Sequence, residues 1–417
     1  MTGRTGVQSR RRRFTHAIIL TRTLLVAALL VASALAPSDA RADPGFRKWV
    51  GQFRSVALKA GVTSSTYAEA LGAIAGPDLE TLEKMNRQAE FNTKIWDYLD
   101  SAVSETQVRN GQAMRQKYAG VLASIESRFG VDRDVVLAVW GIETRYGSRM
   151  GDHNVIAALA TLAYAAPRRK AFWQSELINA LKIVQGGHIR PAQMVGSWAG
   201  AMGHTQFMPS SWKQYAADYD NDGKRDIWTD VPDALASTAR YLSDHGWRKG
   251  ETWGYEVKLP KGFDTSLAGR DGITIARWAA LGVRRVNDAR FPRPADKAVL
   301  KFPGGKAGPA FLVLKNFYVV KRYNNSDFYA LAVGHLGDRI AGYGEFAQAW
   351  PRGYEPLDET GRKQVQKHLA RLGYYEGEID GAIGSGSREA ILSFQKRVGL
   401  SEDGYASKAL LSKLQGS

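Results

Sequence analysis

Apolar residues along the chain fall into helical spacing over long stretches. Phe46, Trp49, Val50, Phe53, Val56 and Ala57 recur every three or four positions and predict an amphipathic helix. Pro77-Asp78 opens a further turn or helix, and Ile95-Trp96 with Tyr98-Leu99 continue the apolar stripe. Tyr118, Val121, Leu122, Ile125 and Phe129 predict another helix, stopped by Gly130. Residues 43–130 therefore read as a helical N-terminal part, and 131–250 as helices separated by glycine-rich turns. Residues 251–350 are mixed, with β-rich runs at Tyr255–Leu259 and Phe311–Val320. Residues 351–357 contain Pro351-Arg352-Gly353-Tyr354-Glu355-Pro356, a proline–glycine linker, before a small module at 358–417. The fold class expected is α+β, predominantly helical.

One helix breaks the usual polarity rule. Asp132 can cap a body running from Val135 through Trp140 to Ile142, apolar on nearly every face and so buried all round. Glu143 ends it, on the face of Val139 and Trp140. A carboxylate there is either paired, with Arg145 or another buried cation, or kept protonated by desolvation. A carboxyl that holds its proton at neutral pH is a general acid. Taken alone, the helix leaves both readings open.

The first 42 residues read as an address. Arg10–Arg13 precede Leu24–Leu35, an apolar run shorter than the ~20 residues a bilayer span takes, and Ala40-Arg41-Ala42 follows as a small-x-small cleavage pattern. A permanent anchor is the competing reading. Arg11-Arg12-Arg13-Phe14 is part of a twin-arginine pattern. The expected product is a soluble exported protein. Absence of cysteine excludes lipoprotein anchoring, disulfides, thiolate metal sites and a cysteine nucleophile. The net charge of +16 falls to +10 without residues 1–42, which carry seven arginines and one aspartate. That balance favours a polyanion but does not choose among nucleic acid, anionic membrane and acidic wall. No nucleic-acid-binding motif and no long basic run follows the first segment.

Asp218-Tyr219-Asp220-Asn221-Asp222-Gly223-Lys224-Arg225-Asp226 places carboxylates at positions 1, 3, 5 and 9 and glycine at 6, the front half of an EF-hand loop. Lys224 offers a backbone carbonyl at position 7. Thr229 stands where the standard loop has a bidentate glutamate, and Asp230 or Asp233 could substitute for it. The hard oxygens favour a structural calcium; a solvated acidic turn is the bland alternative.

Four segments occur in one order: Glu143-Thr144-Arg145-Tyr146-Gly147; Ala158–Tyr164 with Pro167-Arg168-Arg169; Gly196–Ser211, containing Ala199-Gly200-Ala201-Met202-Gly203; and Arg322-Tyr323-Asn324-Asn325-Ser326 with Tyr329-Ala330. Together they resemble the membrane-bound lytic transglycosylase B family of murein-cleaving enzymes, over about residues 45–350. The resemblance implies a lysozyme-like core in 43–350, a single catalytic glutamate at Glu143, and substrate contacts at Ser197, Gln206, Tyr241, Tyr323, Asn324 and Tyr329. No cofactor is required for the chemistry it implies. Some relatives close a similar acidic loop with a later aspartate matching Asp233, giving Asp218, Asp220, Asp222, Lys224, Asp226 and Asp233 as the metal set. The glycines of the Ala199–Gly203 stretch are expected to let backbone approach a sugar. His204 receives no role.

Residues 358–415, with Leu372-Gly373-Tyr374-Tyr375, Asp380-Gly381 and Ser387–Gln395, resemble a three-helix peptidoglycan-binding domain, with Val365, Leu369, Leu372, Ile391 and Phe394 as its core. The partner implied is peptidoglycan, and the module would hold the enzyme on it by avidity. The resemblance implies cleavage of the MurNAc-β-1,4-GlcNAc bond with 1,6-anhydro-MurNAc ends. A lysozyme-like hydrolase and a non-catalytic wall-binding scaffold are the alternatives.

Overall fold

The structure is a computed structural model that describes residues 43–86, 94–353, 355, 357–400 and 404–417. The address segment 1–42 lies outside the described residues. No helix among the described residues is long and apolar enough to cross a membrane.

Six helices open the described chain: α1 Pro44–Lys59, α2 Ser64–Leu71, α3 Leu79–Asn86, α4 Ile95–Ala102, α5 Glu105–Lys117 and α6 Ala119–Phe129. Their starts are encoded locally. Asp43, Thr63 and Ser104 cap α1, α2 and α5 through side-chain oxygens, and Asp78 accepts from the Thr81 N–H at 2.6 Å at the start of α3. Gly130 ends α6 in the left-handed conformation (φ 68°), as its sequence position predicts. In α1 the buried residues are Phe46, Phe53 and Ala57, while Val56 is 45% exposed, contrary to the expected stripe. At about 100° per residue Val56 lies ~80° from the stripe's centre, at its edge.

α7 (Arg133–Thr144) runs through the middle of the main core, buried from Asp134 to Gly141. Beyond it come β1 (His153–Asn154), α8 (Val155–Ala165), α9 (Lys170–Gln185), β2 (Val195–Gly196), α10 (Pro209–Tyr215) and α11 (Val231–Asp244). A four-stranded antiparallel sheet follows, built from β3 (Gly254–Lys258), β4 (Arg284–Arg285), β5 (Val299–Lys301) and β6 (Ala310–Val313) in the order β4-β3-β6-β5, with α12 (Ile275–Ala280) packed on it. α13 (Lys315–Tyr323) and α14 (Asp327–Ala341) complete the core, α14 lying along α7.

β6 shows how period two joins two cores. Ala310 and Leu312 face a small core with Tyr255, Val257 and Trp278, whereas Phe311 and Val313 face the main one. The sequence pattern ran the strand on to Val320, but it stops at Val313 and α13 begins at Lys315. Long-range capping causes the switch. The buried Glu251 carboxylate accepts from the Lys315 N–H at 3.0 Å, and fully buried Asn316 clasps the Arg248 N–H and carbonyl and the Glu251 carbonyl. Asn316→Ala leaves those backbone groups without partners; thermal denaturation should show a loss of about 2 kcal/mol.

The C-terminal bundle consists of α15 (Glu359–Arg371), α16 (Ser385–Val398) and α17 (Lys408–Gln415). Val365, Leu369, Ile391 and Phe394 are buried as expected, with Leu357, Leu410 and Leu414, and Leu372 is partly buried against them. The segment expected to act as a linker is fastened down. Arg352 donates through both Nη atoms to Asp100 at 2.7 Å, and Trp350 stacks on Phe311. The bundle also touches the N-terminal helices, where Glu359 accepts from Thr106 at 3.0 Å and Arg388 pairs with Asp97 at 3.4 Å.

Candidate active site

The end of α7 is held by packing that leaves it one position. Arg145 and Tyr146 follow the helix with φ of 50° and 58°, consecutive non-glycine residues in the left-handed region, an arrangement that persists only where surroundings enforce it. The Tyr146 ring fills the space beside Gly141, where a Cβ would sit 2.6 Å from Cζ. Its hydroxyl donates to the Gln107 carbonyl at 2.9 Å, and Gln107 Nε2 donates back to the Gly141 carbonyl at 2.8 Å. From the other side Trp140 Nε1 donates to His204 Nδ1 at 3.1 Å, and Thr144 Oγ1 donates to the His204 carbonyl at 3.2 Å. His204 is thus a support of this helix end.

Glu143 projects from that end. The residue as a whole is partly exposed, but protein encloses its carboxyl, and Tyr329 of α14 donates to Oε1 at 2.6 Å. Burial pushes the carboxyl up to about 7, while the Tyr329 bond, which favours the ionised form, pulls it down. The competing ion pair with Arg145 is not formed: Arg145 turns away to Asp380 of the C-terminal bundle.

Around the carboxyl stands a group of aromatic side chains. Tyr323 and Tyr329 stack with centroids 6.4 Å apart, and Tyr241 meets Tyr323 edge-on at 4.8 Å. Burial, and after it the Glu143 charge, raise the phenols of Tyr323 and Tyr329 well above their ordinary value, so both are neutral donors. Their hydroxyls are already committed. Tyr323 donates to the Thr205 carbonyl at 2.7 Å, and Tyr241, itself buried, donates to the Arg322 carbonyl at 2.6 Å. Neither hydroxyl is free, and the Tyr241 ring is packed between His245, Tyr215 and Tyr323. Gln206 (φ 50°) donates from Nε2 to the Met150 and Gly203 carbonyls, each at 3.0 Å, which keeps its amide oxygen as the acceptor. Ser197 Oγ accepts from the Ala201 N–H at 3.0 Å and closes the loop between them. Asn324 caps the end of α13 and is exposed.

The glycines of that loop have a packing reason. A Cβ on Gly200 (φ 86°) would meet Leu159 at 2.5 Å, and one on Gly203 (φ 57°) the Ile227 carbonyl at 2.4 Å. They serve the loop's own packing. Sequence reasoning missed Tyr98, assigned only to the α4 stripe. It packs against Phe328 and is pushed up to about 12 by burial and then by the nearby Glu143 charge. No local signal separates such a tyrosine from a core one.

The acidic loop is assembled in part. One carboxylate oxygen each of Asp218, Asp220 and Asp222 lies within 4.8 Å of the others, and Asp218 Oδ1 is buried with no hydrogen-bond partner among the described residues. Three converging hard oxygens, one of them orphaned, fit a dication such as calcium. Asp226 and Asp233 do not join that convergence. Asp226 Oδ1 accepts from the Trp228 and Thr229 N–H groups, each at 2.8 Å. Asp233, 1% exposed, accepts from the Tyr219 and Asp226 N–H groups at 2.6 and 2.7 Å. The Lys224 N–H donates to Asp222 at 2.7 Å.

Comparison with known proteins identifies the family. The Transglycosylase SLT domain matches residues 45–338 and a peptidoglycan binding domain matches 358–414. Membrane-bound lytic murein transglycosylase B of Escherichia coli (strain K12) is 35% identical over 249 residues, 58% of this chain and 66% of that protein, just under two thirds of its length. The crystal structure of SltB3 from Pseudomonas aeruginosa in complex with NAG-NAM-pentapeptide superposes with a TM-score of 0.72 at 45% identity, covering 89% of this chain and 100% of that one. The Escherichia coli lytic transglycosylase Slt35 in complex with calcium has a TM-score of 0.59 at 29% identity, covering 72% and 93%. With its larger domain match spanning well over half of the sequence, the chain belongs to the SLT family of lytic transglycosylases and carries a peptidoglycan-binding domain at its C-terminal end.

Proposed function

We propose that this protein is an exported lytic murein transglycosylase that cleaves the MurNAc-β-1,4-GlcNAc bond and leaves 1,6-anhydro-MurNAc ends. The observation that carries the reading is the Glu143 carboxyl, enclosed, raised to about 7 and hydrogen-bonded by Tyr329. It is supported by the solved complexes of SltB3 with NAG-NAM-pentapeptide and with NAG-anhNAM-pentapeptide.

Glu143 gives its proton to the bridging oxygen as the bond to C1 breaks, and GlcNAc leaves with that proton. The substrate's 2-acetamido group shields the cationic C1. Ionised Glu143 then takes the proton of the MurNAc 6-hydroxyl, whose oxygen closes on C1. The nucleophile belongs to the substrate, so no second carboxylate and no bound water is needed. Tyr329 steadies Glu143 in its ionised interval. Tyr323 supplies an apolar ring face with Tyr241 packed behind it, and Ser197, Gln206 and Asn324 line the sugar path as polar groups. Asp218, Asp220 and Asp222 would hold calcium, which would pin the turn before α11. The domain limits that follow are 43–350 for catalysis, 351–357 for the fastened connection and 358–417 for wall binding. Residues 1–42 direct export to the periplasm.

Digestion of purified sacculi followed by mass spectrometry tests the chemistry. The products should be lighter by one water than those of a hydrolase; fully hydrated reducing ends would overturn the reading. Millimolar calcium should raise the thermal midpoint by the equivalent of about 2.7 kcal/mol when in hundredfold excess over Kd. Asp222→Ala should abolish that rise.

A further inference from the structure

Four residues of both charge signs meet where the peptidoglycan-binding bundle reaches the end of α7. Arg145 pairs with Asp380, and Arg149 Nη2 lies 2.6 Å from Glu378 Oε2. Between these pairs a cleft of about 440 Å³ stays open, walled on the bundle side by Tyr374 and Tyr375.

The two ion pairs are built differently. Asp380 is a fixed anchor. Besides Arg145 it accepts from Gln366 Nε2 at 3.1 Å and from the Ala382 N–H at 2.9 Å, and its side chain is 15% exposed. Glu378, 69% exposed, lies 2.6 Å from Arg149, itself 49% exposed, and at the longer distance of 4.0 Å from Arg145. Pairs so exposed contribute little, because solvent screens them, so a ligand bearing both charges can part them at little cost and replace each partner.

We infer that this cleft is a second binding site, composed of catalytic domain and wall-binding bundle together, and that it takes the peptide stem of murein. The inference rests on the proposed murein substrate and names the part of it that the sugar-lined site leaves unread. A stem peptide carries several carboxylates and a free amine. Its carboxylates would face Arg149, its amine Glu378, and its backbone the Tyr374 and Tyr375 walls. The reach is right. Arg145 lies two residues from Glu143, about 8 Å along the chain at most, while a peptide of about three to five residues extends roughly 10–17 Å. A stem hanging from a MurNAc at Glu143 is long enough to span that separation.

The test uses the full chain and a free stem pentapeptide, without sugar, in isothermal titration at low salt. Binding is expected, weakened about tenfold in Arg149→Glu and in Glu378→Lys and weakened again by raised salt. Pentapeptide with its carboxylates amidated should not bind. The double variant Arg149→Glu with Glu378→Arg, which keeps both signs in the cleft, should recover binding relative to either single change. Thermal midpoints within a degree or two of the parent verify folding. In parallel, kcat/KM on peptide-bearing strands over amidase-stripped strands should exceed one in the parent and fall toward one in Arg149→Glu. Absence of pentapeptide binding, or binding indifferent to these variants, would overturn the inference even with murein cleavage intact. Pentapeptide binding without any cleavage of sacculi would instead overturn the catalytic reading and leave the peptide site standing.

Discussion

Glu143→Gln should lose murein cleavage by about 10²–10⁴-fold while becoming the more stable protein. The amide keeps the shape and still accepts from Tyr329, whose hydroxyl lies 2.6 Å from Oε1, but it has no proton to give. The stability change has a definite sign. The folded state holds the Glu143 proton up to about pH 7, against an ordinary value of 4.5. The contribution of that proton to folding is complete below the unfolded value and is lost as pH rises through about 7. Above that, the parent carries the cost of an enclosed carboxylate and the variant does not. Urea denaturation at pH 8 should favour Glu143→Gln by about 2 kcal/mol, within the upper limit of about 3 that the shift allows, and at pH 4 the two curves should converge. Asp338, pushed up to about 7 by burial against the Trp253 indole bond, titrates in both proteins, so it cancels in the difference. Cleavage by the parent should decline above neutrality as the acid ionises. A variant with ordinary activity, or one no more stable at pH 8 than at pH 4 relative to the parent, would remove Glu143 from the acid's place.

What could be read in advance follows from the range of the interaction that encodes it. α7 was legible because its N-cap, its apolar faces and the misplaced carboxylate lie within a dozen adjacent residues, and a 3.6-residue period places Glu143 beside Trp140. The bundle core at Val365, Leu369, Ile391 and Phe394 was legible for the same reason. The end of β6 was not, since Glu251 and Asn316 set it from residues more than sixty positions apart in the chain. Tyr98 was read as core, because α4's own pattern says nothing about the carboxyl that α7 brings to it. Family words placed Tyr241 and Tyr323 at the site, but only the fold shows their hydroxyls bonded to the Arg322 and Thr205 carbonyls. The connection at 351–357 looked free because its composition is that of a linker, whereas the Asp100 that fastens Arg352 stands some 250 residues earlier.

The acidic loop allows the same distinction to be tested through Asp233, which the sequence offered as a metal ligand and the structure shows bonded to two backbone N–H groups. Asp233→Ala should cost about 3–5 kcal/mol, since it removes two hydrogen bonds to a charged acceptor and strands two enclosed donors. Asp233→Asn, retaining one acceptor oxygen, should cost about half as much. The decisive comparison is between calcium and chelator. If Asp233 supports the loop by itself, the gap between parent and Asp233→Ala has the same size in both conditions, because the Tyr219 and Asp226 N–H groups lose their partner whether or not an ion is bound. If it closes a metal shell instead, the gap opens only with calcium and the parent in chelator falls to the level of the variant. Denaturation curves of the two proteins in each buffer separate these outcomes. Asp222→Ala, which touches the converging oxygens but neither of those N–H groups, should behave in the opposite way, with a deficit that chelation removes.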